Sequence, residues 1–362
     1  MSGPVEQSDA GAQALWVRAE TTRAAGDIAG AGALLDRLLA ADPRNLLALV
    51  RRGDCWALTG DMRSANSFYQ AALRLAPASG LPRETAAELA RARAACDRIA
   101  LEYRDYLRKR LATAGFDPGR SSRRFAESVD LILGEKRLYF QQPKNYYFPG
   151  LPQISFYERR EFSWFDRVEA ATADMREELL AVLEDPNSFA PYVQGHANRP
   201  RKDQLGMLNN PAWSAFYLWK NGEPVPENAA RCPKTLAALA DAPLARVPNR
   251  SPSILFSLLR AGAHIPPHNG LINTRLICHL PLVVPGRCRF RVGNDEREWA
   301  EGRAWAFDDT IEHEAWNDSA STRVILLFDV WRPELTAEER ALVVSLFEAI
   351  DAHSGRKPDW EI

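Results

Sequence analysis

Thr274-Arg275-Leu276-Ile277-Cys278-His279-Leu280-Pro281-Leu282-Val283-Val284 and Thr322-Arg323-Val324-Ile325-Leu326-Leu327-Phe328-Asp329-Val330-Trp331 are the two longest β-type runs in the chain. Shorter runs at 253–259, 287–293 and 303–307 surround them, separated by Pro285-Gly286, Gly293-Asn294 and Glu301-Gly302 turns. Several short strands with turn punctuation predict a sandwich or jelly roll. Helical patterning brackets this region, over 167–186 before it and around 336–353 after it. The later helix opens with Thr336-Ala337-Glu338-Glu339, a capping-box signature.

The N-terminal third follows a different grammar. Gly26-Asp27 returns as Gly60-Asp61, Ala31 as Ala65, Leu39 as Leu73 and Pro43 as Pro77. Helix, Gly-Asp turn, helix and terminating proline at this period are similar to tetratricopeptide repeats, although an ordinary pair of helical hairpins would read the same way. Two such units bury little, so residues 82–114 are expected to stack on them as a capping helix, with further helix from about 121 to 137. Between 138 and 165 aromatic residues crowd around Pro143, Pro149, Gly150 and Pro152, as at the entry to a new domain. The expected divisions are a flexible stretch at 1–10, a helical repeat domain at 11–137, a jelly-roll domain at 138–340 and a C-terminal helix and tail at 341–362. The fold class is α+β.

Composition narrows the possibilities. Lysine and arginine number 46 against 47 acidic residues, so no basic field argues for nucleic acid. Five cysteines without CxxC spacing favour a reducing compartment over a disulfide framework. The polar N-terminus does not read as a secretory signal, and no apolar run reaches the ~18 residues of a membrane span. A cytoplasmic location is expected.

Four of the six histidines, His264, His268, His279 and His313, fall in one window. His268 and His313 lie about 45 residues apart, and Arg323 follows ten residues later. A non-haem iron oxygenase of the 2-oxoglutarate type needs such a set: histidines to hold Fe(II), and an arginine to pair with the far carboxylate of the co-substrate. Singly, His268 after Pro266-Pro267 fits a loop histidine, His313 a surface one and Arg323 a surface strand residue. In register together they favour iron. The usual carboxylate ligand, two positions after the first histidine, is replaced by Gly270. Asp308 and Asp309 could supply an oxygen or organise a turn. On its strand His279 shares a face with Arg275 and Ile277, and an inward His279 or arginine would need a ligand or partner.

His268 through Leu280, Trp299-Ala300-Glu301-Gly302, Phe307-Asp308-Asp309 with Glu312-His313-Glu314, and Asp329 through Thr336 together resemble the aspartyl/asparaginyl β-hydroxylases. Gly150-Leu151-Pro152, Trp213-Ser214 and Pro233-Lys234-Thr235 fit the same pattern, so the resemblance covers roughly 140–340. That family ligates iron with two histidines and carries a glycine where the carboxylate would be. The resemblance implies a double-stranded β-helix (jelly-roll, cupin-like) with flanking helices, and His268 and His313 as iron ligands. It places Arg323, His279, Ser257 and Trp213 at 2-oxoglutarate, and Arg275 at an acidic side chain of the substrate. Ile277 departs from the family by replacing an arginine that assists the co-substrate. The acidic substrate contacts before Trp213 have no counterpart in Lys202-Asp203-Gln204-Leu205.

The expected activity is hydroxylation of an unactivated carbon with Fe(II), 2-oxoglutarate and O2, at the β-carbon of an Asp- or Asn-like residue in a peptide or protein. The alternatives are a hydroxylase of a small metabolite or lipid-linked acyl chain, and a catalytically silent protein that binds peptides on its helical repeats.

Overall fold

The computed structural model describes residues 4–195 and 206–354. The chain divides into two compact units, Met1–Glu135 and Lys136–Ile362, a boundary two residues before the expected one.

The first unit consists of α1 (Pro4–Ala24), α2 (Ile28–Ala41), α3 (Leu46–Leu58), α4 (Met62–Leu75), α5 (Arg83–Thr113) and α6 (Arg123–Ile132). Helix α1 begins at Pro4, within the stretch expected at 1–10, whose first three residues lie outside the described ones. The repeat explains the local structure. Gly26 and Gly60 both sit at φ 85°, where a side chain is strained. The aspartate after each then caps the next helix: Asp27 accepts from the Gly30 amide and Asp61 from the Ser64 amide. Ala31 and Ala65 are fully buried where the hairpins close. The first half of α5 supplies the stacking partner, setting Leu89, Ala92 and Cys96 against Val50, Ala65 and Tyr69.

A polar clamp ties these helices. Arg51 on α3 pairs with Glu88 on α5 at 2.8 Å and with Glu20 on α1 at 3.3 Å. Arg91 meets Asp54 at 2.7 Å, and the Tyr69 hydroxyl donates to Asp54 at 2.7 Å.

In the second unit a 3-10 turn at Arg159–Glu161 precedes α7 (Phe165–Ala170) and α8 (Thr172–Leu183), so the helix predicted over 167–186 is broken in two at Ala171. Then follow β1 (Ala190–Pro191), β2 (Trp213–Lys220), β3 (Glu223–Pro224), α9 (Pro226–Ala229), α10 (Pro233–Ala238), β4 (Ile254–Leu259), β5 (His264–His268) and β6 (Arg275–Val283). The chain continues through β7 (Cys288–Val292), β8 (Asp295–Glu298), β9 (Trp305–Phe307), β10 (His313–Asn317), β11 (Arg323–Trp331) and α11 (Ala337–Ser354). One antiparallel sheet has the order β1-β2-β4-β11-β6-β9 with β3 on β2, and the other β5-β10-β7-β8. Strands shared alternately between two facing antiparallel sheets make the double-stranded β-helix that was expected.

Period two decides which side chains reach the interior. On β11, Val324, Leu326, Phe328 and Val330 pack outward against the layer that holds Met175, Leu179 and Val182 of α8. Ile325 belongs instead to the core between the sheets, with Ile277, Phe290, Phe307 and Ala315. The outward face of β6 is Leu276, Cys278 and Leu280, which sends Arg275, Ile277 and His279 inside. Helix α11 carries the expected capping box: the Glu339 amide donates to Thr336 Oγ1 and the Thr336 amide to the Glu339 carboxylate. Its Phe347 packs with Leu151, Ile272 and Trp331, so a boundary at 340 would cut an element belonging to this unit.

Candidate active site

The strand pairing gives neither histidine the loop or surface position that each suggests singly. His268 ends β5, and His313 opens β10 directly opposite it in register. Pro266 and Pro267 hide this strand from a sequence reading. They are accommodated because β5 is the edge of its sheet, where a missing N–H leaves no gap in the ladder. The two imidazoles stand 4.1 Å apart, centroid to centroid.

Both rings are fixed in the same way. His268 Nδ1 donates to the Pro266 carbonyl at 2.8 Å and His313 Nδ1 to the Ile311 carbonyl at 3.0 Å, since a carbonyl can only accept. Each Nε2 therefore keeps its lone pair, the tautomer and orientation a metal requires. Burial holds His268 down to about 4 and, together with the neighbouring His268, pushes His313 well below its usual value. Both are neutral at pH 7.

Gly270 and Asp309 explain each other. A Cβ at 270 would lie 2.0 Å from Asp309 Oδ2, and the Gly270 amide donates to the Asp309 carbonyl. The Asp309 carboxyl thus lies against the position from which a third ligand would project. Burial raises it to about 7 despite the nearby Arg275. Among the described residues no three His, Cys, Asp or Glu side chains form a metal-holding group. Asp308 organises the turn before His313: it accepts from the Thr310 amide and hydroxyl, from Gln141 and from the fully buried Arg332.

The cavity between the sheets is lined by all seven residues singled out in the sequence: Trp213, Ser257, His268, Arg275, His279, His313 and Arg323. Arg323 is 1% exposed, and its Nε and Nη1 have no acceptor among the described residues. Burial drags this guanidinium down to about 10. His279 is buried beside it with Nδ1 equally unpartnered, and burial plus the Arg323 charge keep the ring neutral. An isolated buried cation costs several kcal/mol unless an anion joins it. This end of the cavity therefore favours an anion.

The remaining three residues do not match their expected contacts so simply. The Trp213 indole N–H is already used, donating to Ser257 Oγ at 3.2 Å, which leaves Trp213 its ring and Ser257 its own hydroxyl proton. Tyr192 stacks on that ring at 4.0 Å. Arg275 is held by Asp329 through Nη1 and by Asp309 through Nη2 at 3.3 Å, with Nε alone lacking a partner. These carboxylates offset the cost of its burial and raise its pKa. The stretch Lys202-Asp203-Gln204-Leu205 lies outside the described residues. His264, the fourth histidine of the window, points away: it pairs with Glu314 at 2.9 Å and stacks on Trp316.

Sequence reasoning did not single out Tyr192, Asp329 or Trp299 as site residues. Trp299 lies under Arg323, its ring centre 4.6 Å from Cζ. Its place in the Trp-Ala-Glu-Gly motif was the one available signal, whereas Tyr192 carried none.

Residues 169–333 match the sequence profile described as aspartyl/asparaginyl beta-hydroxylase. The mouse aspartyl/asparaginyl beta-hydroxylase is 29% identical over 343 residues, covering 89% of this chain and 44% of that protein. The ornithine lipid ester-linked acyl 2-hydroxylase of Rhizobium tropici is 33% identical over 187 residues, covering 51% of this chain and 62% of its own. This chain therefore spans less than half the length of the mouse relative. Among solved structures, a Schizosaccharomyces pombe Cnp3 cupin domain aligns with 33% of this chain and 61% of its own at 8% identity and a TM-score of 0.22.

Proposed function

We propose, from the match of residues 169–333 to the aspartyl/asparaginyl beta-hydroxylase profile and from the similarity to the mouse protein, that the chain is an Fe(II)- and 2-oxoglutarate-dependent hydroxylase of an unactivated carbon, acting on the β-carbon of an Asp- or Asn-like residue in a peptide or protein. The observation that carries this reading is Arg323. A fully buried arginine lacks acceptors for Nε and Nη1 among the described residues, at one end of a cavity whose other end presents two neutral, oriented imidazoles.

The residues fit the implied groups. His268 and His313 would hold the metal through Nε2, and Gly270 leaves no third side chain. Arg323 and His279 would take the far carboxylate of 2-oxoglutarate, and Ser257 has a hydroxyl proton to donate. Iron, held there with 2-oxoglutarate and O2, would supply the oxidising power, with 2-oxoglutarate converted to succinate and CO2. The chain contributes position and dryness. Phe290, Phe307 and Ile325 line the cavity and exclude water, which strengthens the Arg323–carboxylate attraction and fixes the co-substrate relative to the metal. Arg275, steadied by Asp309 and Asp329, would face the substrate.

The relative from Rhizobium tropici favours a second reading in which the hydroxylated carbon lies on a lipid-linked acyl chain. Substrate-stimulated conversion of 2-oxoglutarate to succinate separates the two when acidic peptides and acyl lipids are offered in parallel. For either reading, His268→Ala and His313→Ala should each lose at least a hundredfold in succinate formation while remaining folded. Wild-type-like turnover in either variant contradicts the site.

A further inference from the structure

Resting on that function, we propose that the Trp299 indole N–H is a third donor to the far carboxylate of the co-substrate and helps select a dicarboxylic 2-oxo acid over a monocarboxylic one. Trp299 follows β8, is 5% exposed and lines the cavity. It lies beneath the Arg323 guanidinium at 4.6 Å and 6.0 Å from the His279 ring. Its Nε1 is buried without an acceptor among the described residues. Leaving a buried donor unsatisfied costs about 1–3 kcal/mol, and a buried tryptophan ordinarily finds a partner for its N–H. A phenylalanine would fill this space without that cost.

The neighbours on that side do not supply one. Arg323 has no accepting atom, and its own Nε and Nη1 are also without acceptors among the described residues. Several donors with nothing to donate to, grouped around one end of a cavity, call for an anion. A carboxylate has two oxygens with about four lone-pair sites, enough to serve the guanidinium and the indole together. Ile277, which also lines the cavity, brings no donor to it. The Trp56 and Trp305 indoles also have no acceptor among the described residues, but neither is part of the cavity wall; Trp299 is set apart by lining the cavity beside Arg323.

Calorimetry on the Mn(II)-loaded full chain tests this, with 2-oxoglutarate and with 2-oxopentanoate, which has a methyl group in place of the far carboxylate. Trp299→Phe should weaken 2-oxoglutarate about tenfold, the worth of one hydrogen bond to a charged acceptor, and leave 2-oxopentanoate unchanged. An equal loss for both acids, or for neither, overturns the proposal. If Trp299→Phe does not fold, replacing the indole by a benzothiophene of the same shape removes only the N–H and is judged by the same two affinities. Wild-type protein that binds neither acid overturns the hydroxylase reading and this one with it. Wild-type preference for 2-oxoglutarate, kept by the variants, overturns this one alone.

Discussion

At Gly270 the missing side chain leaves room for the Asp309 carboxyl. Restoring a carboxylate there should not restore a three-ligand site, because the new Cβ would meet Asp309 Oδ2 at 2.0 Å. Gly270→Asp is expected to destabilise the protein by about 1–3 kcal/mol, as other overpacked interiors do, and to lower metal affinity. Chemical denaturation and Fe(II) titration measure both; tighter metal binding with unchanged stability would contradict the assignment of Asp309. Arg323 is the opposite case, a side chain kept at a cost. Arg323→Met removes a buried cation with two unpartnered donors and should stabilise the metal-free protein by on the order of 1–4 kcal/mol. The same change should weaken 2-oxoglutarate at least tenfold. Lower stability in the metal-free variant would show that the guanidinium is satisfied without a ligand.

At the scale of elements, the clamp across the first unit titrates with acid. Hydrogen bonds from Arg51 and Arg91 hold Glu88 down to about 2, below its ordinary 4.5. A carboxylate depressed on folding contributes stability above pH 4.5, and this is lost as pH falls from 4.5 towards 2. Glu88→Gln should flatten this acid limb for amides in α3 and α5, followed by hydrogen exchange; an unchanged limb would mean that the clamp adds nothing. The elements were unequally legible in the sequence. The Gly-Asp turns, α5, the capping box of α11 and the strands from β4 to β11 that are long and apolar could be read, because capping chemistry and β-branched runs are local signals. The strand β5 was hidden by Pro266-Pro267, and β8, Asp-Glu-Arg-Glu, carries no apolar pattern at all. Such strands exist because a neighbour pairs with them, and the pairing of β5 with β10 is what brings His268 to His313.

Across the whole molecule, the helical unit and the β-helix unit have separate cores, and the residues of the site all belong to the second. Among the described residues no helix is long and apolar enough to cross a membrane. Which residues line the cavity was legible from motif and strand period, since alternation on β6 and β11 sends Arg275, His279 and Arg323 to one side. Their bonding was not. That Arg275 is held by two carboxylates, that Trp213 donates to Ser257 and that Trp299 lies beneath Arg323 depends on contacts between strands far apart in sequence. The central claim is a two-histidine iron site that chelates 2-oxoglutarate, and its most direct test is the visible metal-to-ligand charge-transfer band of the full chain with Fe(II) and 2-oxoglutarate under anaerobic conditions. The band should form with the wild-type protein and be absent in His313→Ala. Folded, iron-loaded wild-type protein without the band, or a variant that keeps it, would contradict the claim.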